Sequence, residues 1–528
     1  MTYLTVPISA AGFDEAIRQV KAAKSGGAEA IELRTDYLNN LTVDLAQRLI
    51  ADTRDIIGSE LPLIVTCRDK REGGSIDYPL QLRMDVLLAA VKAGADFIDF
   101  EYKNFLLPDC RKEIITAIGN QSKTRLILSA HNFKGKFADI KKLYGDILAS
   151  NPKAIPKLVY TANHINDCFE AFDCLHNARS DAIVLCMGEA GFISRIVERK
   201  LGGLISYASL NEKSATAPGQ LTIERIKTLY RWDKIDRDTE LYGIIGSPVG
   251  HSLSPLIHNS CFQQIGANKL YLPLLVDGDA EQFNEFLENC LARPWLDFSG
   301  FSVTIPHKEN ALRFVKDKGG FVEPLADKIG AVNTIIIERP SASDQRLIKA
   351  YNTDYSGALD AITAGMGIKR EDLKGIPVVV IGAGGVARAI VAGLRDYGAK
   401  IKIYNRTVKR AEVLAKEFGC EFAGLDELPK LDAKLIINCT NIGMYPIVHS
   451  APVPKELINK DMFVFDTVYN PAETLLLKQA KEVGAKTITG LDMFISQAAE
   501  QFELFTEREA NIELMRKIVV DCLRSKGT

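Results

Sequence analysis

The run GIPVVVIGAGGVARAIVAGLRDYGAKIKIYNRTVKR, residues 375–410, constrains this chain more than any other stretch. Residues 376–381 are mostly β-branched and apolar, which suits a strand buried on both faces. Gly382, Gly384 and Ala387 follow at G-x-G-x-x-A spacing, with Ala383 and Gly385 between them. Ile390, Val391 and Leu394 then recur at helical spacing. A strand that turns so tightly into a helix leaves backbone N–H groups free at the helix N-terminus. A pyrophosphate can reach them where no Cβ intervenes. A second β-rich run, residues 401–404, ends in Asn405, Arg406 and Thr407. An Asp or Glu there would hold the ribose 2′-hydroxyl of NAD. A cation with two hydrogen-bonding side chains suits a 2′-phosphate instead, so the expected cofactor is NADP.

At 528 residues the chain exceeds one core, and two to four domains are expected. Its 65 basic residues nearly balance 67 acidic ones, for a net charge of -2. No basic stripe calls for nucleic acid and no polybasic run for a membrane surface. Apolar runs are short and bounded by Gly, so no membrane span is expected. Met1 leads within a few residues into a strand-like run, which predicts no leader and a cytoplasmic location. The ten Cys form no C-x-x-C pair. Cys67, Cys186 and Cys439 lie in apolar runs and read as buried thiols of a reducing compartment. Seven His without H-E-x-x-H or a tight His/Cys cluster predict no metal site. Monomer and dimer both fit the sequence.

In the first half, strand-like runs recur at residues 4–8, 30–33, 63–67, 97–100, 125–129, 155–160, 182–186 and 204–207. Helical stretches lie between them, with apolar faces such as Ile17, Val20 and Ala23. Eight such repeats have the count and rhythm of a (β/α)8 barrel, with an open doubly wound sheet as the competing architecture. Barrel chemistry sits at the C-terminal strand ends. Those ends carry Glu32, Arg34, Arg68, Glu101, His131 and Lys157. An ordinary lysine is neutral in only about one molecule in 2,500 at pH 7. Burial beside Arg34 or Arg68 is expected to lower the Lys157 pKa and free its amine as a nucleophile. That suggests imine (Schiff-base) chemistry on a ketone, with His131 moving protons, Glu101 orienting it and arginines binding a carboxylate.

The segments ELRTD (32–36), TCR (66–68), Glu101, SAHNF (129–133), IPK (155–157), GFISR (191–195) and APGQ (217–220) resemble type I 3-dehydroquinate dehydratase, in order and across the whole first half. The resemblance implies an imine on Lys157. It implies that His131 removes the adjacent C2 proton and later protonates the departing hydroxyl. Arg195 and Gln220 would bind the carboxylate and hydroxyls. Thr216 stands where that family usually has Ser.

The join, residues 229–240, is short and charged. Beyond it a new α/β pattern carries GSPVGHSLSP (246–255), GFSVTIPHK (300–308), GAVNT (330–334) and YNTD (351–354). A hydride delivered to a ketone makes an alkoxide that needs a proton. Lys308 is suited to give it and Asp354 to hold the ammonium. With GAGGVA, NRT and the late GLDMFISQAA (490–499), these motifs resemble shikimate dehydrogenase. The resemblance places Lys308 and Asp354 as the catalytic pair and Ser252, Ser254, Thr304, Asn333 and Gln497 on substrate. Thr440, Tyr469 and Gly490 would line the nicotinamide side, with Tyr469 also reaching substrate. Asn405, Arg406 and Thr407 would take the 2′-phosphate. Ser302 stands where the family often has Asn.

The expected organisation is a (β/α)8 barrel over 1–232, a substrate domain over 240–355 closed by 491–528, and a Rossmann-type NADP domain over 356–490. The expected function is conversion of 3-dehydroquinate through 3-dehydroshikimate to shikimate with NADPH. The rivals are quinate use by the second half, a class I aldolase-like barrel, and a non-catalytic sensor built from the same modules. A sensor should have lost catalytic groups, and Lys157, His131, Lys308 and Asp354 are all present.

Overall fold

Eight short apolar runs form the eight strands of a parallel barrel in the computed structural model, which describes residues 2–119, 122–338, 347–430 and 432–526. They are β1 (Tyr3–Ile8), β2 (Ala30–Arg34), β3 (Leu63–Thr66), β4 (Phe97–Glu101), β5 (Arg125–Asn132), β6 (Ile155–Thr161), β7 (Ile183–Met187) and β8 (Ile205–Tyr207). Each pairs with the next from β1 to β7, and β8 returns to β1 with Tyr3 opposite Ile205. Across the remaining seam the Leu204 N–H donates to the Ala182 carbonyl (2.8 Å), so the barrel is nearly closed. The (β/α)8 rhythm read from the sequence is therefore the observed one, and the open sheet is not.

The intervening helices bury one face against the strands. The first, Phe13–Ser25, buries Ala16, Val20 and Ala23, one position round from the expected Ile17. Val43–Ile57 starts at Thr42, whose hydroxyl accepts from the Leu45 N–H. The charged join is not a free tether. Tyr230 and Trp232 are fully buried, and the Trp232 indole donates to Glu29 (3.0 Å).

The chain divides into two compact units at Thr239/Glu240, with Leu274–Val276 grouped with the first. The second unit holds two six-stranded sheets. One contains β9 (Glu240–Gly246), β10 (Lys269–Leu275), β11 (Phe298–Val303), β12 (Phe321–Val322), β13 (Thr334–Glu338) and β14 (Leu347–Tyr351), ordered β10-β9-β11-β13-β14-β12. It is mixed: β9–β11 and β12–β14 are parallel, while β11–β13 and β13–β14 are antiparallel.

The other contains β15 (Pro377–Ile381), β16 (Lys400–Tyr404), β17 (Glu421–Ala423), β18 (Leu435–Asn438), β19 (Phe463–Asp466) and β20 (Lys486–Thr489). Its order, β17-β16-β15-β18-β19-β20, is the doubly wound dinucleotide-binding order, parallel throughout. Alternate residues of β15 feed separate cores: Val378 and Val380 pack with Ile390 and Leu394, whereas Val379 and Ile381 pack with Tyr404 and Ile436. Burial on both faces explains the unbroken apolar run. The strand order reverses between β15 and β18, where such sheets bind ligands.

Candidate active sites

Charged side chains converge at the C-terminal end of the barrel. Lys157, midway along β6, donates to Asp99 on β4 (2.7 Å) and to the Tyr207 hydroxyl on β8 (2.8 Å), with Glu32 on β2 at 3.7 Å. Arg68 forks onto Asp99 (2.7 Å), Glu101 (3.1 Å) and Ser129 (2.5 Å). Arg34 clasps Asp36 through two 2.8 Å bonds. Gln220 accepts from the Thr216 N–H (2.8 Å). Glu32, Arg34, Arg68, His131, Lys157, Arg195, Thr216 and Gln220 all line one pocket.

Two expectations fail here. Lys157 is not tuned toward a free amine. Burial works to lower its pKa, but Asp99, Tyr207 and Glu32 outweigh burial and Arg68, and the ammonium is held above its ordinary value. Glu101 does not orient His131 and does not line the pocket. Its oxygens take Arg68, Arg83 (2.9 Å), Asn104 (3.1 Å) and the Asp69 N–H (2.9 Å), so it fixes Arg68 from behind.

Glu72 holds His131 instead. Its Oε2 accepts from the His131 backbone N–H and faces the ring Nδ1, both at 3.1 Å. Burial, then Arg68 and Lys157, push His131 well below the usual imidazole range, so the ring is neutral near pH 7. With ionised Glu72 taking an Nδ1 hydrogen, Nε2 keeps the lone pair of a general base. Burial raises Glu72 itself to about 7. Protonated Glu72 has no charge to hold the Nδ1 hydrogen and can donate its own to that nitrogen, which takes the free lone pair away from Nε2. First-site activity is therefore expected to fall as pH drops through about 7. A pH–rate profile of Glu72→Gln, lower throughout and lacking that acid limb, checks this. A limb unchanged in the variant assigns it to another group.

In the second unit, Lys308 begins helix Lys308–Asp317 and Asp354 begins helix Asp354–Met366. Lys308 Nζ donates to Asp354 Oδ2, and both side chains are buried. A carboxylate in a helix's first turn is also stabilised by the helix dipole. Ser252, Ser254, Thr304, Lys308, Asn333, Asp354, Tyr469, Gly490 and Gln497 line one pocket, as do Ser302, Thr467 and Gln501, which were not singled out as pocket residues. The Ser302 hydroxyl accepts from Tyr271 (2.6 Å) and donates to Gln501 (2.7 Å). Asn333 is pinned by Thr353 through its amide N and O, both at 2.9 Å. Tyr469 stacks on Phe494 with centroids 4.0 Å apart.

The residues expected around a dinucleotide fit one. Gly382 has φ +114, and a Cβ there would lie 3.0 Å from the Cys439 carbonyl, beside Thr440. A Cβ at Gly384 meets nothing within 4 Å, which leaves open space over the N-terminus of helix Gly385–Asp396. Gly385 lies against Lys308, whose Cδ is 3.1 Å from a Cβ built there. Ala383 is half-buried and Ala387 fully buried in helix packing. Asn405 caps its own turn through the Thr407 carbonyl (2.9 Å), and Arg406 and Thr407 are exposed beyond β16. Thr440 donates to Asn438 (2.7 Å) and lies outside the second-unit pocket.

The chain is similar to known proteins along almost its whole length. The type I 3-dehydroquinase profile matches residues 4–237. The shikimate dehydrogenase substrate binding domain matches 244–335, shikimate / quinate 5-dehydrogenase 366–473, and the shikimate 5′-dehydrogenase C-terminal domain 490–520. The bifunctional 3-dehydroquinate dehydratase/shikimate dehydrogenase of Arabidopsis thaliana chloroplasts is 36% identical over 98% of this chain and 84% of its own length. The chain belongs to the bifunctional 3-dehydroquinate dehydratase/shikimate dehydrogenase family. The NADP(+) shikimate dehydrogenase of Caldanaerobacter subterraneus is 39% identical over 52% of this chain and 94% of its own. A Thermus thermophilus shikimate 5-dehydrogenase structure with NADP(H) and shikimate is 34% identical over 53% of this chain and 99% of that one, with a TM-score of 0.46.

In this bifunctional dehydratase/dehydrogenase, the residues that sequence reasoning passed over had uneven signals. Asp99 was legible: it interrupts an apolar strand between Ile98 and Phe100 and shares a face with Glu101. Glu72 ends a short charged 3-10 turn, Lys70–Glu72, where strand alternation says nothing. Gln501 lies one helical turn beyond Gln497.

Proposed function

We propose that the barrel dehydrates 3-dehydroquinate through an imine on Lys157 and that the second unit reduces the resulting 3-dehydroshikimate to shikimate. The placement of Lys157 carries this reading: a buried lysine between Asp99 and Tyr207 shares a pocket with a neutral His131. The imine draws electrons from C2, and His131 Nε2 removes the C2 proton. The electron pair then expels the C1 hydroxyl, which takes that proton from His131 and leaves as water. Asp99 stays beside the cationic nitrogen. Arg195, buried and pulled down to about 10 by that burial, makes no salt bridge among the described residues. It is the anchor for the substrate carboxylate, while Glu32, Thr216 and Gln220 face the ring hydroxyls.

NADPH, when bound, supplies the hydride for the second reaction. Lys308 gives the proton to the developing alkoxide, and Asp354 holds the ammonium in line. Ser252, Ser254, Thr304, Asn333, Tyr469 and Gln497 orient the ring and its carboxylate. The N-terminus of helix Gly385–Asp396 receives the pyrophosphate, with Gly490 and Thr440 toward the nicotinamide. Arg406, with Asn405 and Thr407, takes the 2′-phosphate. These roles assign the barrel to residues 1–232, substrate recognition to 240–355 with 491–528, and cofactor recognition to 356–490. Ten free thiols suit a reducing compartment, so the cytoplasm is the proposed location.

Borohydride added with 3-dehydroquinate tests the imine. The wild type should gain one reduced substrate at Lys157 by mass spectrometry, and Lys157→Ala none. Undiminished labelling of Lys157→Ala would reject the assignment. The cofactor reading has its own test. A charge-assisted bond is worth roughly 1.5–3 kcal/mol, at about 1.4 kcal/mol per decade. Arg406→Ala should therefore weaken NADPH about 10- to 150-fold and leave NADH nearly unchanged in titrations of both. Equal losses would give Arg406 another role.

A further inference from the structure

We infer that Tyr207 is a further catalytic group of the dehydratase site, a phenol that relays hydrogens from Lys157 Nζ to the oxygen of the substrate ketone. The inference rests on the imine reading above. Tyr207 ends β8, lies buried in the same pocket as Lys157 and His131, and places its hydroxyl 2.8 Å from Nζ. Its ring packs against the same nitrogen, with Nζ 4.6 Å from the centroid. An ammonium has only hydrogens to give, so the phenol oxygen is the acceptor in that contact and its own hydrogen is left for the pocket. Asp99 holds Nζ from another direction at 2.7 Å. A carbon bonded to Nζ carries its oxygen two bonds from that nitrogen, within reach of a hydroxyl already in contact with Nζ.

Imine formation from an ammonium needs such a relay. Nζ starts with three hydrogens and ends with one, and the ketone oxygen starts with none and leaves as water with two. Tyr207 makes the same exchange twice. First it gives its hydrogen to the ketone oxygen and takes one from Nζ. The freed nitrogen pair forms the C–N bond as the C=O π pair moves to oxygen. In the second exchange the oxygen receives another hydrogen from the phenol, which is refilled from Nζ. The C–O bond breaks with its pair leaving on water, and the nitrogen pair closes the C=N bond. The phenol is neutral after each exchange and no outside acid or base is consumed. Imine hydrolysis runs the relay backwards. Asp99 holds the nitrogen charge throughout, so an ammonium kept protonated in the free enzyme can still become a nucleophile once a ketone is bound.

Tyr207→Phe keeps the ring and removes only the hydroxyl. The test mixes full-length protein with 3-dehydroquinate in a single turnover, quenches with borohydride at successive times, and follows the trapped adduct by mass. The relay predicts the wild-type final amount of adduct, reached about 10²-fold more slowly, the lower end of what a positioned acid–base group contributes. Because the rate is read against its own end point, it does not depend on how much variant is folded. An adduct forming at the wild-type rate overturns the relay. So does one that never forms, which makes Tyr207 structural. No adduct in the wild type rejects the imine reading itself, and the relay with it.

Discussion

Lys157→Ala is expected to lower dehydration of 3-dehydroquinate by roughly 10⁴- to 10⁶-fold, the scale of losing a covalent nucleophile, while reduction of 3-dehydroshikimate continues at the wild-type rate. The size follows from what the proposed imine would do. A cationic nitrogen beside C2 turns an unreactive C–H into one that a neutral imidazole can deprotonate, and no other group in the pocket supplies that electron sink. Arg195 and Gln220 remain in the variant, so substrate should still bind and KM should move far less than kcat. Removing the lysine also leaves Asp99 with only Arg68 to balance it, in a fully buried place. Lys157→Met, which keeps the bulk of the stem, guards against a loss through misfolding and should be equally inactive. Dehydration measured with 3-dehydroquinate alone and reduction measured with 3-dehydroshikimate and NADPH give the two numbers separately.

Lys308→Ala should produce the opposite pattern. Reduction should fall about 10²- to 10⁴-fold, the usual worth of a positioned general acid, and dehydration should be untouched. Lys308 is the buried ammonium of the second pocket, bonded to Asp354 and lying against Gly385 at the dinucleotide turn. In the proposed reading it connects the place of the alkoxide to the helix N-terminus assigned to the pyrophosphate. The loss should appear in kcat, because Ser252, Ser254, Asn333 and Gln497 still hold the ring. NADPH affinity measured by titration should stay within a small factor of the wild type. A large loss of NADPH binding would make Lys308 chiefly a cofactor contact.

Much of this arrangement was legible in the sequence because local rules and tertiary structure agree. The eight barrel runs were found because strands buried on both faces are continuously apolar, and the dinucleotide half because β15, its turn and its helix must follow one another directly. The two pockets collect the catalytic and substrate residues that the motifs pointed to, except Glu101, while all the residues chosen for the dinucleotide but Gly490 lie outside them. The failures share a cause. Which carboxylate faces Lys157, and which acid holds His131, depend on side chains 58 and 59 residues apart in sequence. Charge type at a strand end does not encode that pairing. Arg68 lies near Lys157, as expected, but Asp99 lies closer to the ammonium and reverses the sign of the pKa shift. Glu101 was chosen because it ends its strand. Asp99, two residues earlier on the same face, is the one that reaches Nζ. The buried join shows the same limit, since the charges of residues 229–240 concealed Trp232, whose indole is satisfied by Glu29 from the start of the barrel.

The central claim is that one chain carries two complete catalytic sites, one acting on the product of the other. It is tested most directly by giving 3-dehydroquinate and NADPH to Lys157→Ala, to Lys308→Ala, and to an equal mixture of the two, while following nicotinamide absorbance. Each variant alone should oxidise almost no NADPH: the first makes no ketone for the second site, and the second cannot reduce the ketone it makes. The mixture should oxidise one NADPH per 3-dehydroquinate, because the intermediate is a small soluble acid that passes between chains. A mixture that stays silent, while each variant keeps its remaining activity when assayed separately, would contradict the account of two independent sites.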